Sequence, residues 1–130
     1  MQERTCISSG SPFEKPIGFS RAVRVGHTIA VAGTAPIAAD GTTACPGDVY
    51  GQTLRCLEII AGAIEQAGGS LSDVIRTRVM LTDISRWEAA RAHGEYFSDI
   101  RPASTFVEVK GLIRADWLVE LEADCVLVER

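Results

Sequence analysis

Several features that commit a chain to a narrow class of functions are missing. There is no excess of positive charge: 13 Lys and Arg stand against 17 Asp and Glu, a net charge of −4. This argues against a protein whose affinity comes from neutralising phosphates. No apolar run approaches the roughly 20 residues that a membrane helix needs. The opening Met1-Gln2-Glu3-Arg4 is polar, without the basic n-region and apolar h-region of a secretory signal. Neither nucleic acid nor a membrane is expected as a partner, and the expected location is cytoplasmic. A C-x-x-C pair is also absent: Cys6, Cys45, Cys56 and Cys125 are scattered, and the only histidines are His27 and His93. That spacing disfavours a metal site and a disulfide framework, and the thiols read as buried and reduced.

What remains suits one domain over residues 1–130. With 46% apolar and 23% charged residues the chain is too apolar for disorder and too short for two ordinary domains. A mean hydropathy of +0.12 in so small a chain points to apolar surface buried between subunits.

Periodicity supplies the elements. Residues 8–15 read as a loop. Residues 18–25, where Phe19, Arg21, Val23 and Val25 alternate with Ser20, Ala22 and Arg24, meet residues 28–33 across Gly26-His27, predicting a hairpin with one core face. Residues 34–48, rich in Pro, Gly, Ala and Thr, predict a long loop. Leu54, Leu57, Ile60 or Ala61, Ile64 and Ala67 then recur at three and four residues, an amphipathic helix stopped by Gly68-Gly69. Residues 73–81 predict a strand with Ile75, Thr77, Val79 and Leu81 on one face and Arg76, Arg78 and Met80 on the other. Ser85-x-x-Glu88 reads as a capping box opening a second helix, with Trp87, Ala90, Gly94 and Phe97 on one side, ending before Pro102.

Residues 104–110 predict the next strand. The last, residues 117–128, places Val119, Leu121, Ala123 and Cys125 on one face and Glu120, Glu122 and Asp124 on the other. Three carboxylates on one face and two arginines on another predict neighbouring strands with ion pairs across the sheet; a merely solvated, salt-bridged face is the plainer reading of Glu122 and Asp124. Hairpin, helix, strand, helix and two strands predict an α+β domain, an antiparallel-rich sheet with both helices on one face.

On these residues the chain resembles the Rid family, the reactive-intermediate deaminases also called the YjgF family. The resemblance spans nearly the whole chain. It rests on Ile17-Gly18, on Val31-Ala32-Gly33-Thr34-Ala35-Pro36 against the family's S-G-x-x-P, and on the Ala-Gly-Gly-x-Leu-x-Asp-Val stretch from Ala67 to Val74. The C-terminal part of the match is Arg101-Pro102-Ala103-Ser104-Thr105-Phe106-Val107-Glu108-Val109 with Leu118-Val119-Glu120-Leu121-Glu122-Ala123. It implies a chorismate-mutase-like α+β fold, a homotrimer with a central barrel of sheets, and a small-molecule ligand held in clefts between subunits. It also implies a cofactor-free hydrolysis of 2-imino or enamine acids to 2-oxo acids and ammonia. Glu120 matches the glutamate that holds the attacking water, and Gly33 the backbone contact to substrate.

The departures are equally specific. The family's P-A-R-S places a carboxylate-gripping arginine where this chain has Ser104. A serine donates one neutral hydrogen bond in place of a bidentate charged pair, a loss of roughly 1.5–3 kcal/mol, or about one to two decades. Ser20 stands for the family's tyrosine, Phe106 for its cysteine and Ala32 for its serine. Alternation puts Ser104, Phe106 and Glu108 on one side, a pocket suited to a neutral, cationic or more apolar ligand.

Arg91 and Arg101 are the candidates for a compensating cation. Their plainer readings are a solvent-facing helical arginine and a residue closing the helix against its carbonyl ends. His93 reads as a surface or helix-packing residue before a general base, and Trp117 as a packing residue at a strand start or subunit edge. Two functions follow. One is an imine or enamine deaminase in which Glu120 orients water while Gly33, Ser104 and Thr105 place the substrate beside Phe106, Ser20 and Arg91. The alternative is a non-catalytic metabolite-binding or regulatory trimer with the same cleft. A ribonuclease or translation-inhibitor role, as described for some relatives, is disfavoured by the charge and by the lack of a histidine pair.

Overall fold

The computed structural model describes residues 3–128; the opening pair Met1-Gln2 lies outside the described residues. Six strands form one sheet in the order β1-β2-β3-β6-β4-β5. They are β1 (Arg4–Ile7), β2 (Ala22–Val25), β3 (Thr28–Thr34), β4 (Val74–Leu81), β5 (Ala103–Glu108) and β6 (Val119–Val126). All neighbours are antiparallel except β4 and β5. The helices are α1 (Glu14–Ile17), α2 (Val49–Gln66) and α3 (Glu88–Phe97). The chain passes from β3 through α2 to β4, and from β4 through α3 to β5, each time moving toward the β5 edge. Right-handed crossovers in one direction put both helices on one face, where α2 lies over β3 and β6 and packs beside α3.

The layer between helices and sheet is the core. Leu57, Ile60 and Ile64 of α2 meet Ile29, Val31, Val79, Leu81, Val119, Leu121 and Ala123 of the sheet, all essentially inaccessible to water. Truncating one such side chain to Ala costs about 2–5 kcal/mol. Asp48 caps α2, its carboxylate accepting from the Gly51 N–H at 3.1 Å. Gly68 (φ 89°) takes the left-handed turn that ends it. Arg24 Nη1 donates to the Ala67 carbonyl at 2.8 Å, placing a cation on the helix C-terminus.

Four expectations need correction. The polar segment ending at Ile7 forms an edge strand with only Ile7 buried, too weak an alternation to stand out, and α1 occupies part of the expected loop. In the strand after the second helix turn, a bulge between Val74 and Arg76 turns Ile75 outward to 52% exposure and seats Val74 in the core instead. Ser85 and Glu88 make no capping box: the Ser85 hydroxyl donates to Asp83 Oδ1 at 2.6 Å, and Trp87 is exposed while Ala89, Ala92 and Phe97 are buried. The box sits at Ser70 and Asp73, where the chain makes a 3-10 turn over Leu71–Asp73. Of the thiols, Cys56 and Cys125 are buried, but Cys6 and Cys45 are exposed.

The face without helices is not bare. Arg78 Nη1 meets Glu122 Oε1 at 3.0 Å and Asp124 Oδ2 at 3.2 Å across β4 and β6. The expected neighbouring of the arginine and carboxylate strands is therefore observed, with Arg78 opposite Glu122 and Arg76 opposite Asp124.

Candidate functional site

The side chains capable of chemistry fall into two groups on opposite faces of the sheet. The first lies on the open face at β3 and β6. Glu120 emerges there between buried Val119 and Leu121. The register of β3 against β6 shifts between Val31 and Thr34, bringing Gly33 beneath the Glu120 carboxyl: a Cβ added at Gly33 would stand 2.8 Å from Oε1. Only a residue without a side chain leaves the carboxylate where it is. Arg21, just before β2, is anchored to the same bulge. Its Nη1 donates to the Gly33 carbonyl at 2.6 Å and to Thr34 Oγ1 at 3.2 Å, and its Nε donates to Ser9 Oγ at 3.4 Å. The Phe19 ring lies 5.6 Å from the guanidinium carbon.

Glu120 itself is half-buried and has no hydrogen-bond or ion-pair partner among the described residues. Burial raises its pKa above the ordinary 4.5, the Arg21 charge pulls it back, and Glu122 adds to the rise. Burial lowers the Arg21 pKa, with Glu14 and Glu120 acting against the fall; an arginine stays charged through such a change. Behind them the Cys56 thiol is pushed up by burial and then by the Glu120 charge, so it is no nucleophile.

The second group lies at the β5 edge, on the helix-covered face. Ser104 Oγ is 2.7 Å from Thr77 Oγ1 of β4, which is 2.8 Å from His93 Nε2 of α3. Ser104 Oγ also donates to the Pro102 carbonyl at 3.3 Å. Phe106 is flanked by His93 (ring centroids 5.4 Å apart) and by Trp87 (5.5 Å). Phe97 backs the imidazole at 4.8 Å. Burial alone lowers the His93 pKa.

The residues anticipated for one site are thus divided. Gly33 and Glu120 stand together, as do Ser104 and Phe106, but β4 separates β6 from β5 and Ser104 pairs at the level of Ala123 through Thr77. Strand spacing and rise put Glu120 and Ser104 roughly 14 Å apart within one chain, on opposite faces. Thr105 is exposed on the open face opposite Arg78, not beside Ser104. Ser20 is half-buried next to Phe19, in a shallow cleft with Arg4, Lys15 and Val23 that contains neither Glu120 nor Ser104.

Arg91 lies over the Tyr50 ring, 4.1 Å from its centroid, while Tyr50 donates to Glu95 at 2.5 Å; it bridges α3 and α2. Arg101, at φ 56°, donates its backbone N–H to Phe97 O at 2.8 Å and so closes α3. Trp117 precedes β6, its indole N–H buried without a partner among the described residues. Sequence reasoning passed over Arg21 and Thr77. Arg21 reads as one residue of an alternating strand and Thr77 as a core position; the available signal was a hydroxyl on each inward face of two adjacent strands, Thr77 and Ser104. Among the described residues no group of three His, Cys, Asp or Glu is placed to hold a metal ion. Nor, among the described residues, is any helix long and apolar enough to cross a membrane.

Comparison with known proteins agrees across nearly the whole chain. The family described as Endoribonuclease L-PSP matches residues 13–127. A RutC family protein of Pyrococcus abyssi is 40% identical over 111 residues, 84% of this chain and 87% of its own. An uncharacterized protein of Streptomyces coelicolor is 39% identical over 119 residues, 91% of this chain and 88% of its own. Among solved structures, Rv2704 of Mycobacterium tuberculosis, described as a member of the YjgF/YER057c/UK114 family, superposes with a TM-score of 0.86 at 46% identity, covering 96% of this chain and all of that one (100%). The E. coli YjgF gene product gives 0.77 at 25% identity, covering 93% and 92%.

Proposed function

We propose, for a chain that belongs to the YjgF/Rid family and has its chorismate-mutase-like α+β fold, that it is a cytoplasmic homotrimeric hydrolase converting an imine or enamine to a carbonyl compound and ammonia. The observation that carries this reading is the Glu120 carboxylate: half-buried, raised in pKa, seated over Gly33 and without a hydrogen-bond partner among the described residues. A carboxylate whose pKa lies closer to neutrality is a better general base than one left in water.

In the reaction, water attacks the imine carbon while Glu120 takes its proton. The C=N electron pair moves to nitrogen, which is protonated, and the resulting carbinolamine expels ammonia as the C=O bond forms. The atoms balance without a cofactor.

The division of the site residues supports a cleft made by two chains. In that arrangement Glu120, Gly33 and Arg21 of one subunit face Ser104, Phe106 and Trp87 of the next. Trp87 is 60% exposed in the chain alone, and Ile75 and Val107 near the same edge are 52% and 42% exposed, which is apolar surface that a neighbour would cover. Serine in place of an arginine on β5 favours imines that are not gripped by a carboxylate there. That substitution also motivates the second reading, a metabolite-binding trimer without turnover. The test is imine generated by an L-amino-acid oxidase from a neutral, an acidic or a basic amino acid, trapped with semicarbazide. Accelerated loss that disappears in Glu120→Gln supports hydrolysis; no acceleration with any of the three supports the binding protein.

A further inference from the structure

His93, Thr77 and Ser104 come from three different elements, α3, β4 and β5, yet form one unbroken chain of hydrogen bonds of 2.8 and 2.7 Å that ends, at 3.3 Å, on the Pro102 carbonyl. We infer that this chain is a proton relay, with His93 as the store and the Ser104 hydroxyl as the mouth, which protonates the nitrogen of a ligand bound at the β5 edge. The inference rests on the proposed hydrolysis for its substrate and supplies the proton donor that Glu120 does not.

Hydroxyl groups have one proton each, and that fixes the direction of the chain. With a proton on Nε2, His93 donates to Thr77, Thr77 to Ser104 and Ser104 to Pro102 O, so every donor has an acceptor. Discharge reverses all of it. The Nε2 proton passes to Thr77 Oγ1, the Thr77 proton to Ser104 Oγ, and the Ser104 proton, leaving its long bond to Pro102, to the ligand nitrogen. The imidazolium becomes the neutral Nδ1–H form, which now accepts from Thr77, while Thr77 accepts from Ser104. One proton enters at the ring and one leaves at the serine, with no bond to carbon changed.

The setting suits this role. Thr77 is buried at 1% exposure, and its hydroxyl hydrogen-bonds to no side chain but these two among the described residues, whereas Ser104 is exposed at the aromatic wall of Phe106 and Trp87. The imidazole is held between Phe97 of its own helix and Phe106 of β5. No carboxylate or cation contributes to the lowering of its pKa, so the imidazolium is an acid strengthened by burial alone. Nδ1 has no hydrogen-bond partner among the described residues, leaving it open to reload from solvent.

The test is made first without any substrate, by titrating the His93 imidazole in the full-length protein by 15N NMR. Ser104 does not touch the ring. If the chain is continuous, Ser104→Ala nonetheless lowers the His93 pKa by weakening the acceptor for its Nε2 proton, Thr77→Val lowers it further, and Thr77→Ser restores it. A His93 titration and tautomer unchanged in Ser104→Ala overturn the relay, whatever the activity. With imine as probe, the relay predicts a rate that falls as pH rises past the His93 pKa, and Thr77→Val, with its fold checked by circular dichroism, lowers the rate on the order of a hundredfold and removes that fall. Turnover with the pH limb intact in Thr77→Val also overturns the relay. Coupling at His93 with no turnover in the unsubstituted protein instead contradicts the proposed hydrolysis and leaves the wire standing.

Discussion

The two chemical regions of the chain treat their polar groups in opposite ways. At the β3 bulge the carboxylate of Glu120 is brought half out of water and has no hydrogen-bond partner among the described residues, while the nearby arginine spends its hydrogen bonds on the Gly33 carbonyl, Thr34 and Ser9. At the β5 edge the two hydroxyls and the imidazole Nε2 bond to one another in a chain that ends on a carbonyl. Burying a polar group unpaired costs stability and a paired one little. The contrast therefore marks Glu120 as a half-exposed carboxylate available to a ligand, and the Ser104 region as one set up to pass a proton along.

The largest effect is expected from removing the Glu120 carboxylate. Glu120→Gln keeps the shape and loses the base, and imine turnover falls by about a hundredfold or more while circular dichroism shows the fold unchanged. Gly33→Ala comes next. Its methyl group would stand 2.8 Å from Glu120 Oε1, so the carboxylate must swing aside, and turnover falls by about tenfold to a hundredfold with the His93 titration unchanged, because the second region is untouched. A decrease in both regions would mean that they are coupled within one chain.

The pH dependence sharpens the comparison with a smaller effect. Glu120 acts as a base only when ionised, so turnover rises with pH through its raised pKa, above the ordinary 4.5. Arg21→Met removes the charge that opposes this rise and moves the acid limb to still higher pH. The sign for stability is the reverse. A carboxyl with a raised folded-state pKa binds its proton more tightly when folded, so its contribution is complete below the ordinary value and is lost as pH rises through the folded one. Glu120→Gln then flattens the melting temperature across that interval. The smallest change is expected from the paired charges between the regions. Arg78, whose side chain is 43% exposed beside Glu122 and Asp124, contributes under about 1 kcal/mol, and Arg78→Met should shift urea denaturation by no more than that.

The parts legible in the sequence were those with long or strict periodicity. The apolar stripe of α2, the Gly68 stop and the alternation of β6 follow from spacing alone, and the neighbouring of β4 and β6 follows from the opposite charges of the arginine and carboxylate rows. What was hidden depended on one-residue events. The bulge at Ile75 inverts an alternation that looks continuous; the edge strand β1 buries a single side chain; and Ser85 binds Asp83, two residues back, in preference to forming the cap its spacing suggests. For the site, Glu120 and Gly33 were visible as motif residues. Arg21 and the bond between Thr77 and His93 were not, because each is a contact between elements distant in sequence, set by the sheet order and by the packing of α3 on β4.

That a working site combines Glu120 of one subunit with Ser104 of the next is tested by mixing two chains, each of which lacks one of these groups and is expected to turn over imine poorly by itself. Glu120→Gln and Ser104→Ala proteins are denatured together in equal amounts, refolded, and assayed for imine hydrolysis against each refolded alone. Random assembly places an intact Glu120 opposite an intact Ser104 in one cleft of four, so the mixture should recover about a quarter of the unsubstituted activity when sites lie between subunits of a symmetric oligomer. A mixture no more active than its two parents, in the presence of confirmed mixed oligomers, would contradict the account.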